Sequence, residues 1–297
     1  MKPPPFKYFA PTTLNEALDL LAEYGEEAKP LAGGQSLIPT MNFRLALPGV
    51  LIDLNRLPEL AFIEPTGDGG ILIGAMTRHR AVERSSLIAE RAPLVHETMP
   101  WIAHPQIRNR GTFGGSLAHS DPAAELPAVT TVLEARFRAK SSRGERWIPV
   151  TDFFVDLFKT ALEPDELLVE VALPPPAAHT GYAFREVSRR RGDYALVGVA
   201  AAVTLAEDLT CQQTRLVYFS VGDKPVEAHQ AAAVLQGQKL SHAAIAEAAQ
   251  LAAQQDLDPP GDIHASVRYR RHLAQVLAKD VLEKAHQRAK SGDYKTN

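Results

Sequence analysis

Apolar residues at Leu14, Ala17, Leu18 and Leu21 recur at three- and four-residue spacing, which predicts an amphipathic helix with one stripe turned toward a core. Thr13 can cap this helix, Glu16 completes a capping box, and Gly25 ends it. The chain then passes through a short strand, Lys29 to Leu31, into Ala32-Gly33-Gly34-Gln35-Ser36-Leu37-Ile38, a glycine turn that leads to a short helix. Val50 to Leu54 and Ile71 to Ala75 read as further strands, and Arg80 to Ala103 has mixed helical character. A second glycine turn follows at Gly111-Thr112-Phe113-Gly114-Gly115-Ser116, about eighty residues after the first. Short strands return beyond Arg146, including Leu167 to Leu173, and stop at Pro174-Pro175-Pro176, where no backbone donor remains to continue a ladder. We place a domain boundary there. Strand-like runs at Tyr182 to Val187, Ala195 to Leu205 and Leu216 to Val221 come next, then alanine-rich helices from Ser241 to about Ala289. The expected division is 1–175, 176–289 and a flexible tail over 290–297, with an α+β order in both large parts.

Composition narrows the function. A chain of 297 residues that is 45% hydrophobic exceeds one compact domain and can bury a large core. Its 32 basic and 35 acidic side chains leave a formal charge of -3, so no global field favours nucleic acid or an anionic membrane. Cys211, the single cysteine, rules out a disulfide framework and any iron-sulfur cluster held by four thiolates of this chain. The start Met-Lys-Pro-Pro-Pro-Phe lacks the apolar run of a secretion signal, and no stretch approaches about 18 uninterrupted apolar residues. A cytoplasmic protein is expected.

Chemistry concentrates at the glycine pairs. Gly33-Gly34 and Gly114-Gly115 can each form a nest in which backbone N–H groups converge on a phosphate without β-carbons in the way. Either pair alone reads as well as an ordinary tight turn. Hydroxyls follow both pairs at Ser36 and Ser116, and Thr112 precedes the second, so side-chain donors accompany each. Neither turn has the G-x-G-x-x-G or G-x-x-x-x-G-K-[ST] pattern of Rossmann and P-loop sites. Gly34-Gln35-Ser36-Leu37-Ile38 begins like a nucleophile elbow, but Ile38 stands where the closing glycine must be. The ten histidines include no H-x-x-x-H pair, so no metal site is expected. The polar stretch His104 to Gly111 suits a binding loop, Asp121 suits a helix cap, and Arg189-Arg190-Arg191 suits a solvated face.

Three segments together carry a resemblance. Lys29-Pro30-Leu31-Ala32-Gly33-Gly34-Gln35-Ser36-Leu37-Ile38-Pro39, the run from Pro105-Gln106-Ile107-Arg108-Asn109-Arg110-Gly111-Thr112-Phe113-Gly114-Gly115-Ser116 to Asp121-Pro122-Ala123-Ala124-Glu125-Leu126-Pro127, and Arg189-Arg190-Arg191-Gly192-Asp193-Tyr194-Ala195 resemble the FAD-binding (medium) subunit of the xanthine dehydrogenase and carbon monoxide dehydrogenase family of molybdenum hydroxylases. The likeness runs from about Phe6 to Ala285. It implies an α+β fold: a two-lobed FAD domain of the vanillyl-alcohol oxidase superfamily, then a smaller C-terminal α+β domain, with FAD between the lobes. It also implies cofactor contacts at Lys29, Pro30, Leu31, Ala32, Gly33, Gly34, Gln35, Ser36 and Leu37, and at Thr112, Gly114, Gly115, Ser116 and Ala118. Ile102, Ala103 and Glu125 would line the adenosine and ribitol path, Leu168 would pack near the flavin ring, and Tyr194 would stand beside it.

The resemblance further implies partners: a large molybdenum subunit with the molybdopterin cofactor and a small iron-sulfur subunit, assembled as a dimer of heterotrimers. Electrons would pass from the iron-sulfur clusters to FAD and on to an external acceptor, with no catalytic acid or base on this chain. Two features depart from the family. Relatives place a lysine near the flavin where this chain has Phe184-Arg185-Glu186, and the cysteine-rich insertion of the benzoyl-CoA reductase branch is missing. A self-sufficient flavin oxidase or reductase would need an acid-base constellation that the sequence lacks. A non-catalytic binding protein that had lost FAD would tolerate filled glycine turns, and both turns are open.

Overall fold

Three parallel strands, β1 (Lys7–Phe9), β2 (Ala28–Leu31) and β3 (Val50–Asp53), make a small sheet in the order β1-β3-β2 in the computed structural model, which describes residues 2–292. Parallel neighbours need crossovers, and helices α1 (Leu14–Tyr24) and α2 (Leu37–Asn42) occupy the two connections. The predicted stripe of α1 is the buried one: Ala17, Leu18 and Leu21 pack with Val50 and Ile52. Thr13 Oγ1 accepts from Glu16 N at 3.3 Å, whereas the Glu16 carboxylate reaches back to Thr12 N at 2.8 Å, one residue earlier than a capping box requires.

The second lobe is an antiparallel sheet in the order β4-β5-β10-β6-β7, from β4 (Ile63–Pro65), β5 (Ile71–Gly74), β6 (Arg136–Ser141), β7 (Gly144–Pro149) and β10 (Leu167–Leu173). Between β5 and β6 the chain forms α3 (His79–Arg84), α4 (Ser86–Arg91), α5 (Pro93–Thr98), α6 (Pro105–Arg108), α7 (Phe113–His119) and α8 (Glu125–Val132). Phe113 and Leu117 of α7 and Leu126 and Val129 of α8 join Ile73, Phe137 and Val171 of the sheet in one core. Helix α9 (Val150–Phe153) and a ribbon of β8 (Phe154–Asp156) and β9 (Lys159–Thr160) close the lobe, with Phe153 stacked on Phe137 at 3.9 Å between ring centres. Regular strand begins at Arg136, ten residues before the sequence pattern announces it, because β6 carries alternating charged side chains that read as loop.

Beyond Pro174-Pro175-Pro176 comes the meander β11 (Thr180–Ser188), β12 (Ala195–Leu205), β13 (Cys211–Phe219) and β14 (Val226–Glu227), covered by α10 (His229–Leu235), α11 (His242–Leu251) and α12 (Val267–Ser291). Strand β12 is apolar along nearly its whole length because both of its faces are covered. Val197, Val199, Ala201 and Val203 face the helices, and Ala200 and Ala202 face the second lobe. The junction is polar as well as apolar: Glu97 on α5 accepts from Lys284 at 2.7 Å and Arg288 at 2.5 Å on α12, and Arg288 also donates to Tyr182 O at 2.5 Å. The first residues of the tail expected over 290–297 belong to the helix end instead, since α12 continues through Ser291 and closes on Gly292, with φ 66°. Residues 293–297 lie outside the described residues. No helix among the described residues is long and apolar enough to cross a membrane.

Candidate cofactor site

The first glycine segment leaves β2 and bends into α2 through Gly34, whose φ of +71° suits glycine. Among the described residues, the backbone N–H groups of Gly33, Gly34, Gln35, Ser36 and Leu37 find no acceptor within the protein. Gln35 Nε2 instead returns to Gly33 O at 3.0 Å, which holds the turn closed. The segment lines an open cleft of about 340 Å³ with Leu31, Ala32, Pro39, Asn42, Asp53, Asn55 and Arg110. Five uncommitted donors beside a cationic side chain form an anion-binding wall.

The second glycine segment differs from the expected nest. Gly114 and Gly115 are in the first turn of α7, neither has positive φ, and Thr112 is the N-cap, its hydroxyl accepting from Gly115 N at 3.1 Å. Its N–H groups are consumed: Phe113 N donates to Thr77 O, Gly114 N to Ala75 O, and Ser116 N to Thr112 O. These glycines serve close packing. A β-carbon on Gly115 would sit 2.5 Å from Thr112 Oγ1 and 3.2 Å from Ala32 Cβ, and one on Gly33 would sit 2.5 Å from Arg110 O and 2.7 Å from Gly111 Cα. The two segments thus meet backbone to backbone, one offering donors and the other a rigid floor.

Side chains that sequence reasoning missed hold this contact. Asn55 Nδ2 donates to Ala32 O at 2.9 Å, Arg78 donates to Asn55 Oδ1 at 2.6 Å and also to Arg110 O, and Tyr8 OH donates to Asp53 Oδ2 at 2.6 Å. The Tyr8 bond and the Asn55 N–H and amide bonds hold the Asp53 carboxyl below its usual range against the opposing effect of burial. Burial, with Arg110 nearby, lowers the Arg78 guanidinium. No motif announces this chain, because its side chains come from three distant segments, at Tyr8, at Asp53 and Asn55, and at Arg78.

Further along, Arg108 is buried and pairs with Glu83 at 3.0 and 3.2 Å while donating to Ile102 O at 2.9 Å and Ala103 O at 3.1 Å, next to the left-handed Ala103 (φ 46°). A β-carbon on Gly192 would meet the His104 ring at 2.5 Å, so the loop 189–194 closes on the loop 102–104. Tyr194 is 63% exposed, and Arg189 and Arg190 are turned to Asp193 at 3.0 and 3.5 Å. Asp121 caps a turn at Ala123 N, and the N-cap of α8 is Ala124. Leu168 is a core residue 4% exposed, Ala118 is partly buried against the same core, and Lys29 and Pro30 belong to β2, with Lys29 exposed.

Two carboxyls outside the cleft lining hold their protons toward neutral pH. Glu125 opens α8 and Glu186 is on β11, 7% exposed, with Oε2 finding no hydrogen-bond partner among the described residues. Burial first, then Glu125, pushes Glu186 up to about 8; burial first, then Asp121, pushes Glu125 up to about 7. Arg185 faces the other way, toward Asp280 at 2.9 Å, so Glu186 is the residue turned to the second lobe. Both shifts retain protons that the unfolded chain has lost, so this contribution to stability is complete below about pH 4.5 and fades as pH rises toward 7 to 8. Glu186→Gln is therefore expected to gain on the parent by about 2 to 4 kcal/mol between about pH 5 and about pH 8. Denaturant melts at the two pH values measure it; a constant difference would show that Glu186 titrates normally in the fold.

Comparison with known proteins decides the family. Residues 4–176 match the FAD binding domain in molybdopterin dehydrogenase, and residues 182–285 match the CO dehydrogenase flavoprotein C-terminal domain. The chain belongs to the FAD-binding subunits of the molybdopterin dehydrogenases. It is 45% identical to the 6-hydroxypseudooxynicotine dehydrogenase complex subunit alpha of Paenarthrobacter nicotinovorans over 98% of this chain and 97% of that protein. It is 36% identical to the carbon monoxide dehydrogenase medium chain of Afipia carboxidovorans over 98% of this chain and 100% of that protein. A solved structure of carbon monoxide dehydrogenase from Hydrogenophaga pseudoflava, 38% identical, superposes with a TM-score of 0.93 over 97% of this chain and 99% of that one. In this FAD-binding subunit the residues present fit the cofactor: free N–H groups converge in an open cleft whose floor admits no added β-carbon.

Proposed function

We propose that this chain carries FAD as the electron-transfer subunit of a cytoplasmic molybdenum hydroxylase, with a cofactor domain over 1–175 and a C-terminal domain over 176–289. FAD, when bound, supplies two-electron and one-electron chemistry between iron-sulfur clusters of a small subunit and an external acceptor. The observation that carries this reading is the backbone-to-backbone meeting of Gly33 with Arg110 and Gly111, beside five uncommitted N–H groups. The N–H groups of Gly33 to Leu37, with the hydroxyls of Ser36, Thr112 and Ser116, would hold the diphosphate. Ile102, Ala103, Glu125 and Tyr194 would line the rest of the path, with Leu168 packing from the core side. The names of the relatives, a subunit alpha of a complex and a medium chain, support partner subunits, which this reading takes as a large molybdenum subunit and a small iron-sulfur subunit in a dimer of heterotrimers.

The purified chain is expected to be yellow and to release its flavin on acid precipitation, since no histidine or cysteine sits within either glycine segment to form a covalent link. Tagged protein drawn from its native source should bring both partners with it. A folded chain with no affinity for added FAD, or one that oxidises an organic substrate unaided, would overturn the reading.

A further inference from the structure

Arg78 stands where the floor of the cleft and its donor wall are tied together. Its backbone belongs to the floor: Arg78 pairs with Thr112 in an antiparallel bridge, flanked by bonds from His79 N to Gly111 O and from Phe113 N to Thr77 O, each 2.9 Å. Its side chain leaves that segment in two directions. One guanidinium nitrogen donates to Arg110 O, the atom against which Gly33 packs, and the other donates to Asn55 Oδ1 at 2.6 Å. Asn55 carries the connection onward, since its Nδ2 donates to Ala32 O at 2.9 Å, while Asp53 Oδ1 accepts from both its backbone N and its Nδ2. The path from Arg110 O through Arg78 and Asn55 to Ala32 closes a ring around Gly33.

This ring has a directional effect, because a trans peptide is planar and its C=O and following N–H point to opposite sides. Holding Ala32 O toward Asn55 turns Gly33 N–H the other way, and holding Gly33 O with Gln35 Nε2 at 3.0 Å does the same for Gly34 N–H. These are the first two of the uncommitted donors. Arg78 itself stands behind the lining residues Asn55 and Arg110. Both of its hydrogen-bond partners are neutral oxygens, and it meets no carboxylate directly among the described residues. Arg110 lines the cleft and likewise has no acid partner among them. Asp53, the acid of the lining, has its oxygens engaged by Tyr8 OH and Asn55. Two guanidinium groups with no acid bound to either favour an anion in this cleft.

Resting on the FAD reading above, we propose that Arg78 is a positioning residue for the diphosphate of the cofactor. Through Asn55 it aims the Gly33 N–H, through Arg110 O it holds the floor, and its charge adds to that of Arg110. The planar fork matters as much as the charge, since a lysine supplies a cation without two N–H groups fixed in one plane.

The test is a double-mutant cycle read by fluorescence titration of the full-length chain, stripped of flavin, with FAD. Arg78→Gln is expected to weaken binding at least about 30-fold and Asn55→Ala about tenfold. The two together should lose no more than about threefold beyond Arg78→Gln, because each breaks the same clamp. Arg78→Lys should recover only part of the loss and stay at least about fivefold weaker than the parent. Circular dichroism confirms that each protein compared is folded, and Arg78→Lys takes the place of Arg78→Gln in the cycle if the latter is not. Parental affinity in either folded Arg78 variant, or losses that simply multiply in the double variant, overturn the proposal while leaving the FAD reading intact. Failure of the parent to bind FAD overturns the FAD reading itself.

Discussion

Gly33→Val is expected to lower FAD affinity by at least about 100-fold, equivalent to about 2.7 kcal/mol, with most of the fold retained. The argument is steric and local. A β-carbon at residue 33 would lie 2.5 Å from Arg110 O and 2.7 Å from Gly111 Cα, distances at which backbone must move. Neither neighbour can retreat easily, since Arg78 holds Arg110 O and His79 N holds Gly111 O at 2.9 Å. The first segment would have to lift away, carrying its five N–H groups out of convergence. Gly34→Ala, which strains a φ of +71° without a backbone clash, should cost less, about 1 to 3 kcal/mol. Fluorescence titration with FAD ranks the two; unchanged affinity in Gly33→Val would mean that the cofactor does not use this contact.

Glu97→Ala should destabilise the protein by about 3 to 5 kcal/mol, because it strands two cations at a domain junction. Arg288 and Glu97 are nearly buried, and Lys284 is the third member of the group. Losing the carboxylate removes the one acid that Arg288 meets among the described residues and leaves it donating to Tyr182 O. By contrast, Asp165→Asn, which breaks the exposed Arg143 pair of 2.8 Å, should cost less than about 1 kcal/mol. Thermal denaturation compares them: a drop of roughly 10 °C is expected for Glu97→Ala and little for Asp165→Asn. Equal shifts would show that the junction ion group adds no more than a surface pair.

The sequence made the apolar elements legible and left the polar scaffold hidden. Helix α1, strands β3, β5, β10 and β12, and the first glycine turn follow directly from periodicity and turn residues. Strands β6 and β7 did not show, because five of their twelve residues are charged and one face meets solvent. The second glycine pair was visible as a motif but not as a helix start: glycine reads as a turn locally, and only the packing of α7 on Ala75 and Ala32 explains it. Asn55 and Arg78 escaped for a different reason. Each works by where the fold carries it, and no neighbour in sequence marks its task.

The double covering of β12 has a consequence for how this polypeptide matures. Its helix-side residues, Val197, Val199, Ala201 and Val203, are roofed by helices that include α12, which begins only at Val267. During synthesis the sheet emerges well before that roof, and its apolar side stays wet for the time taken to make the intervening residues, several seconds at about 5 to 20 residues per second. Nascent chains at this stage would be natural clients for chaperones, and a frameshift or nonsense codon after Phe219 would leave the sheet permanently bare. Loss of the distal quarter of the gene product should therefore appear in cells as insoluble protein rather than as a smaller flavoprotein.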